Sequence, residues 1–288
     1  MSMTKYSRDW DLIPMTDKEL FELAKKSINS PEAESDALIL FEYVTGKDRM
    51  SLYLHPEEEE TQEKKEKLLE LIKRRNTGEP VQYITGKTYF YGLEFLCDKD
   101  TLIPRFDTEV LTQEAIKSVP RNAGVLDMCT GTGCIIIALK HERNDITAFG
   151  SDISEKAILT ARKNAQLNEC NVEFTVSDMF RNIDGRFDVI ISNPPYIERK
   201  VIDELDATVK EYEPFTALCG GEDGLDYYRI IAKEAHDHLL KDGSLLLEIG
   251  YDQGKSVPEI LSAEGFVNIK VIKDLNGLDR VVSAVFGG

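Results

Sequence analysis

Phe187-Asp188-Val189-Ile190-Ile191-Ser192-Asn193-Pro194-Pro195-Tyr196 reads as a buried strand that stops abruptly and hands over to a stiff turn. The two prolines hold φ near about −65° and remove two backbone donors, so neither a helix nor a ladder continues through them. Their carbonyls stay free to accept. Asn193 adds an amide that both donates and accepts, and Tyr196 adds a flat ring with a hydroxyl. Such a set suits gripping a planar, weakly nucleophilic amino group at a sheet edge. The plainer reading, a rigid loop after a strand, is equally open to Asn and Pro, and the neighbouring sequence decides between them.

Outward from this stretch, the text after Ala123 alternates strand, helix, strand, helix, which specifies an α/β fold with a mostly parallel sheet covered on both faces. Strands are expected over 124–128, 146–152, 172–177, 187–193, 244–250, 267–272 and 280–286. Only Asp274-Leu275-Asn276-Gly277-Leu278-Asp279 separates the closing pair. That is too short for a crossover helix, so the last strand should run antiparallel to its predecessor.

Three strand ends precede the Asn-Pro-Pro turn. The first gives Asp127-Met128-Cys129-Thr130-Gly131-Thr132-Gly133 before helix-like Cys134 to Lys140; glycines there let the backbone approach a ligand at the carboxyl edge, where open α/β sheets bind them. The second ends in Gly150-Ser151-Asp152, an acid placed to accept from ribose hydroxyls. The third ends in Ser177-Asp178-Met179-Phe180, which could meet an adenine amine with Asp178 and its ring face with Met179 or Phe180. Asp152 could instead cap the helix beginning near Ser154, and Asp178 could be a turn aspartate; taken together in order along the sheet, the three describe one nucleoside. The loop does not spell Gly-x-Gly-x-x-Gly, and the reversed strand is foreign to dehydrogenases, which favours S-adenosylmethionine over NAD.

The first 80 residues read as helices. Thr16-Asp17-Lys18-Glu19 is a capping box ahead of Leu20, Leu23, Ala24 and Ile28. Ser30-Pro31 offers a second start, Ala37, Leu38, Phe41 and Val44 an apolar face, and Gly46 a stop. The acidic run Glu57 to Glu60, leading into 62–75 with Glu60 and Glu63 four residues before Lys64 and Lys67, reads as a solvated helix face. After Gly78 and Pro80 come aromatic and β-branched alternations, Val81-Gln82-Tyr83-Ile84 and Thr88 to Phe95 with Gly92 between, expected as a hairpin. The expected division is a helical domain over 1–80, a β-hairpin linker over 81–104 and a catalytic domain over 105–288. Arg105, between Pro104 and Phe106, is either a surface residue or an anchor aimed into a cleft.

At 288 residues, with 42% hydrophobic and 30% charged residues, the chain should be globular with ample core. A formal net charge of −17 disfavours stable contact with a phosphate backbone and suits a protein or small-molecule substrate. The five cysteines are scattered with no Cys-x-x-Cys pair, which points to reduced thiols in the cytoplasm and neither disulfides nor zinc. His236 and His238 are not expected to bind metal. Met1 to Lys5 has no apolar core, and no run approaches membrane-spanning length. Nothing in the sequence suggests an obligate dimer, so a monomer is expected.

As a set, these motifs resemble the class I S-adenosylmethionine-dependent methyltransferases, and within them the PrmC/HemK release-factor glutamine methyltransferases. The resemblance runs from Gly78-Glu79-Pro80 and Leu102-Ile103-Pro104-Arg105 through the glycine loop and Asn193-Pro194-Pro195-Tyr196. It continues with Glu213-Pro214, Gly220-Gly221-Glu222-Asp223-Gly224-Leu225, Leu247-Glu248-Ile249-Gly250 and Asp279-Arg280-Val281-Val282. It implies a Rossmann-like seven-stranded sheet with one antiparallel strand, S-adenosylmethionine as cofactor, and methylation of the glutamine side-chain amide in the Gly-Gly-Gln motif of class I peptide-chain release factors. The helical domain would help recognise that protein. By the same resemblance Cys129, Thr130, Gly131, Thr132, Gly133, Asp152, Asp178, Met179 and Asn193 are expected at the cofactor. Asn193, Pro194, Pro195, Tyr196 and Arg105 are expected at the glutamine, with Asn193, Pro194 and Tyr196 the catalytic set. Cys129 stands where the family commonly has a glycine, and Phe106-Asp107 replaces the common Pro-Glu; Cys is small, and the loop is expected to survive if Cys129 does not need positive φ. The alternatives are a glutamine methyltransferase of a ribosomal protein, an adenine-amino nucleic-acid methyltransferase, and a nucleoside-binding regulatory module without turnover.

Overall fold

The computed structural model describes residues 14–287, so Met1 to Lys5 lie outside it. The chain forms two compact units, divided between Thr85 and Gly86.

The first contains β1 (Met15–Thr16), α1 (Asp17–Ser27), α2 (Ala33–Thr45), α3 (Arg49–Leu54), β2 (Glu59–Glu60), α4 (Gln62–Asn76) and α5 (Val81–Thr85). The capping box forms: Glu19 N donates to Thr16 Oγ1 at 3.3 Å, and Thr16 N to Glu19 Oε2 at 3.0 Å. Leu20, Ala24 and Ile28 then meet Leu40, Phe41 and Leu68 in one apolar core. Gly46 ends α2 in the left-handed region at φ 76°. Three expectations give way here. Helix α2 starts at Ala33, because Ser30 Oγ accepts from Glu32 N and holds the chain in a turn first. Glu60 is buried rather than solvated, since β2 pairs with β1 and turns it onto Lys47 and Lys64 at 2.8 Å each. Val81 to Ile84 are helical, because Ile84 N bonds Pro80 O and the one-turn spacing puts Val81 and Ile84 together into the core; burial outweighs their β propensity.

The second unit opens with the hairpin β3 (Lys87–Phe90) and β4 (Leu93–Leu96), turned by Tyr91 and Gly92 at φ 51° and 78°. Positive φ at both turn residues matches the strand twist. After a single 3-10 turn (Phe106–Thr108) come α6 (Glu109–Ser118), β5 (Gly124–Met128), α7 (Cys134–Glu142), β6 (Thr147–Asp152), α8 (Glu155–Leu167), β7 (Val172–Val176) and β8 (Phe187–Ser192). Short helices α9 (Arg199–Ile202), α10 (Ala207–Lys210) and α11 (Phe215–Leu218) lead to α12 (Asp226–His238), β9 (Leu239–Glu248), α13 (Ser256–Ala263), β10 (Phe266–Lys273) and β11 (Asp279–Phe286). The seven-stranded sheet runs β10-β11-β9-β8-β5-β6-β7. Strands β7, β6, β5, β8 and β9 are parallel, while β11 lies antiparallel to both β9 and β10. The single reversed strand is where the short 274–279 connection places it.

Successive strand residues point to opposite faces, and here both faces are covered. Val125, Val189, Ile191, Leu246 and Val281 pack with α6, α7 and the hairpin phenylalanines. Leu126, Ile190, Leu245, Leu247 and Val282 pack with α12 and α13. Two-sided burial explains why these strands read as continuous apolar runs. It also forces polar function to the strand ends.

Candidate active site

A cleft opens at the carboxyl ends of β5, β6, β7 and β8; Cys129, Gly131, Asp152, Asp178, Met179 and Asn193 are among its walls. Its floor is the turn after β5. Ser192 Oγ donates to Met128 O at 2.7 Å, and Thr130 N to Ser151 O at 2.9 Å. With both sides pinned, the residue between must reverse the chain, and Cys129 adopts φ 56°. The condition set for the loop, that Cys129 not need positive φ, is not met, and the turn forms with Cys129 left-handed. Gly131 and Gly133 follow at φ 54° and 80°. A Cβ on Gly131 would meet nothing within 4 Å, whereas one on Gly133 would lie 2.9 Å from Ile137 Cδ1 and 3.2 Å from Ala161 Cβ. Gly131 thus faces open cleft, and Gly133 serves helix packing.

Thr130 and Thr132 are buried beneath the loop, Thr130 Oγ1 bonding Asp127 Oδ2 at 2.5 Å. Burial pushes the Asp127 carboxyl up to about 7. Asn164, also buried, donates to Thr132 O and Leu96 O, and so ties the loop to the hairpin.

Asp152 accepts Gly131 N on Oδ2 and Ser154 N on Oδ1, both at 2.9 Å. The cap of α8 is Ser154, whose Oγ accepts Ala157 N, so the simple capping role falls to Ser154 and Asp152 keeps an edge on the cleft. Burial holds its carboxyl above the usual range against the bonds from Ser154 and Gly131. At the third strand end, Ser177 Oγ donates to Met179 O at 2.7 Å and accepts Asn182 N at 3.0 Å. That turn sets Met179 at φ 48° beside Asp178 in the cleft wall. Phe180 turns away, its ring stacked on His238 at 4.7 Å.

Asn193 stands at the end of β8 with Nδ2 donating to Thr108 Oγ1 at 3.2 Å. None of the described hydrogen bonds ends on its Oδ1. Pro195 shares the cleft wall; Pro194 is buried. Tyr196 packs instead against the α12 side of the core, its hydroxyl 3.5 Å from Glu248 Oε1. Burial, then the Glu248 charge, push its phenol up. Arg105 also lies off the cleft wall, paired with the buried carboxylate of Glu213; a buried carboxylate needs such a partner.

Behind the tetrapeptide, Gly220 N bonds Ile197 O at 2.9 Å and Gln253 Nε2 bonds Tyr196 O at 3.1 Å. A Cβ on Gly220 would sit 2.7 Å from Pro195 O, and one on Gly224 would sit 2.4 Å from Tyr196 O. The glycine-rich loop 220–224 thus clamps the tetrapeptide from behind.

With this geometry, comparison to known proteins separates the alternatives. The PrmC N-terminal domain model matches residues 21–86, and the methyltransferase small domain model matches 106–210. The release factor glutamine methyltransferase of Agrobacterium fabrum is 41% identical over 86% of this chain and 89% of its own. That of Geobacter sulfurreducens is 37% identical over 99% and 100%. The chain belongs to the release factor glutamine methyltransferase family. In fold, it resembles the crystal structure of a methyltransferase from Pyrococcus furiosus, with TM-score 0.54 and 20% identity, covering 69% of this chain and 91% of that one. The tetrapeptide 193–196 is an edge turn held by Thr108 and Gln253, while Asn164 braces the glycine loop, three residues the sequence reading did not single out. Tyr227 of α12 also lines the cleft. Their only sequence signal is polarity next to motif segments, because each acts across a long sequence separation.

Proposed function

We propose that this chain transfers the methyl group of S-adenosylmethionine to the side-chain amide nitrogen of the glutamine in the Gly-Gly-Gln motif of class I peptide-chain release factors. The observation that carries the reading is the Asn193 amide at the cleft, held by Thr108 so that Nδ2 points inward. Membership of the family supports the substrate.

The residues fit the cofactor: Gly131 presents backbone to open space, Asp152 an acidic edge, and Met179 an apolar wall. S-adenosylmethionine, when bound, supplies an electrophilic methyl carbon on a sulfonium. Asn193 Oδ1 and the Pro194 carbonyl each accept one hydrogen of the substrate amide, which aims a nitrogen whose lone pair is otherwise delocalised. Such positioning supplies up to about 7 to 11 kcal/mol in ideal cases. The helical unit recognises the release factor. The charge of −17 argues against a nucleic-acid substrate, and five free cysteines suit a reducing cytoplasm. Among the described residues no helix is long and apolar enough to cross a membrane.

The purified protein with labelled S-adenosylmethionine should label a release factor and leave its Gln-to-Ala version, a ribosomal protein and DNA unlabelled. Asn193→Ala should bind cofactor yet lose at least about a hundredfold in turnover. Labelling of the Gln-to-Ala factor at the same rate would end the assignment.

A further inference from the structure

Gln253, in the turn between β9 and α13, is 8% exposed, is not among the residues of the cleft wall and has no part in the reaction as described so far. Its backbone is fixed on both sides: its N–H donates to Gly250 O at 2.9 Å, and its carbonyl accepts from Val257 N at 3.1 Å in the first turn of α13. From that base the side chain makes three hydrogen bonds. Oε1 accepts from Gly250 N at 2.9 Å, while Nε2 donates to Tyr196 O at 3.1 Å and to Gly224 O at 3.2 Å. Resting on the reading of Asn193 and Pro194 given above, we infer that Gln253 is a positioning residue: its amide ties the turn 193–196 to the loop 220–224 and so keeps the Pro194 carbonyl free for the substrate amide.

A glutamine amide has two hydrogens to give and an oxygen to accept, and here both hydrogens and the oxygen are committed. Turned over, it would set its oxygen against two carbonyls and its NH2 against a backbone N–H, so the three partners fix which end points where. The carbonyls of the turn can then be accounted for one by one. Ile197 O accepts from Gly220 N, Tyr196 O accepts from Gln253, and Pro195 O abuts Gly220, where an added Cβ would lie 2.7 Å away. Each of these three faces the clamp. No described backbone donor reaches Pro194 O, which is the carbonyl that the clamp leaves over.

The bridge matters because two acceptors converge on it. Gly224 comes this close to the turn only for want of a side chain: a Cβ there would lie 2.4 Å from Tyr196 O and 3.0 Å from Gln253 Nε2. The loop is itself held, by Arg199 N on Gly221 O at 2.9 Å and by Asp226 N on Gly220 O at 3.0 Å. With the Gln253 NH2 between them, Tyr196 O and Gly224 O are both satisfied. Without it each loses a donor, which costs an unmade bond at both and leaves the turn to seek another partner. Pro194 and Pro195 have φ locked by their rings, so a shift at Tyr196 O is passed back to the Pro194 carbonyl and the Asn193 side chain.

The test uses the full chain and begins without substrate. In wild type the two Nε2 protons of Gln253, assigned by their loss in Gln253→Glu, should exchange with deuterated solvent at least about tenfold more slowly than those of exposed Gln166. Equal rates would show that the tie is not made and overturn the inference, whether or not any variant folds. The side-chain amide resonances of Asn193, assigned by their loss in Asn193→Asp, should move or broaden in Gln253→Met, which keeps the length of the side chain and removes both donors; unchanged resonances there overturn the inference too. With release factor and cofactor, Gln253→Met should lower kcat roughly ten- to hundredfold, the worth of two hydrogen bonds, and leave the Kd for S-adenosylmethionine within about threefold of wild type. Gln253→Glu carries a signature that a loss of stability alone lacks. Ionised, the new carboxylate offers neither carbonyl a proton; protonated, it offers one. Buried carboxyls titrate upward of their usual range, so the kcat of Gln253→Glu relative to wild type should climb at least about threefold between about pH 9 and about pH 6, while the ratio for Gln253→Met stays flat. Wild-type kcat in both variants, or one pH-independent loss shared by both, overturns the inference. A wild-type protein that fails to methylate release factor would instead end the functional reading, with the proton exchange and the Asn193 resonances still deciding the role of Gln253.

Discussion

Cys129 holds φ 56°, a conformation that costs a side-chain-bearing residue about 1–2 kcal/mol. Glycine would escape that cost but lose more freedom on folding, so Cys129→Gly should lie within about 1 kcal/mol of wild type. Cys129→Val, branched at Cβ, should lose a further 1–3 kcal/mol or so. Urea unfolding compares the three, and equal midpoints for Gly and Val would mean the turn is not left-handed. Asp127 allows a pH test. Burial raises it to about 7, while in the unfolded chain it titrates near about 4. Between those values the folded chain holds the extra proton, so this group's contribution to stability falls as pH rises and levels off above about 7. Asp127→Asn should therefore gain on wild type from about pH 4 to 7 in unfolding experiments. A constant difference between the two would show that Asp127 is solvated.

Between elements, the first unit depends on Lys47. Its Nζ reaches Asp17 at 2.6 Å, Glu60 at 2.8 Å and Glu58 at 3.0 Å, joining the start of α1 to β2. Burial pushes the Asp17 carboxyl up; it would raise Glu60 too, but Lys47 and Lys64 outweigh it and bring Glu60 down. Removing the ammonium strands the buried Asp17 carboxylate and leaves Glu60 with Lys64 alone, and Lys47→Met should cost about 3 kcal/mol, read as a lower melting temperature of the helical unit. A Lys47→Met protein melting like wild type would show the cluster to be solvated. These contacts mark what sequence can and cannot disclose. The central parallel strands β5, β8 and β9 were legible because burial on both faces leaves mostly Val, Ile and Leu between polar ends, and the reversed strand because six residues cannot cross a sheet. Glu60 was misread because an acidic run looks the same whether it faces water or two lysines. Asp152 and Asn193 were legible because the first ends its strand and the second directly follows one. Thr108 was not, since its contact with Asn193 is made only by folding.

For the whole chain, the cleft is built entirely from the second unit, its walls running from Asp100 to Tyr227. A protein starting at Gly86 should bind S-adenosylmethionine with near-normal affinity while losing at least about tenfold in kcat/KM toward release factor; calorimetry and methyl-transfer assays separate the two. Equal activity toward the factor would remove the helical unit from recognition. The final strand has a separate bearing on synthesis. Because β11 is wedged between β9 and β10, β10 has no other neighbour in the sheet, and Arg280 from that last segment pairs with Asp107 and Asp274. A reading frame cut short before Asp279 would leave an edge strand unattached and Asp107 and Asp274 without their cation, so even a very late stop codon should act on this enzyme as a complete loss.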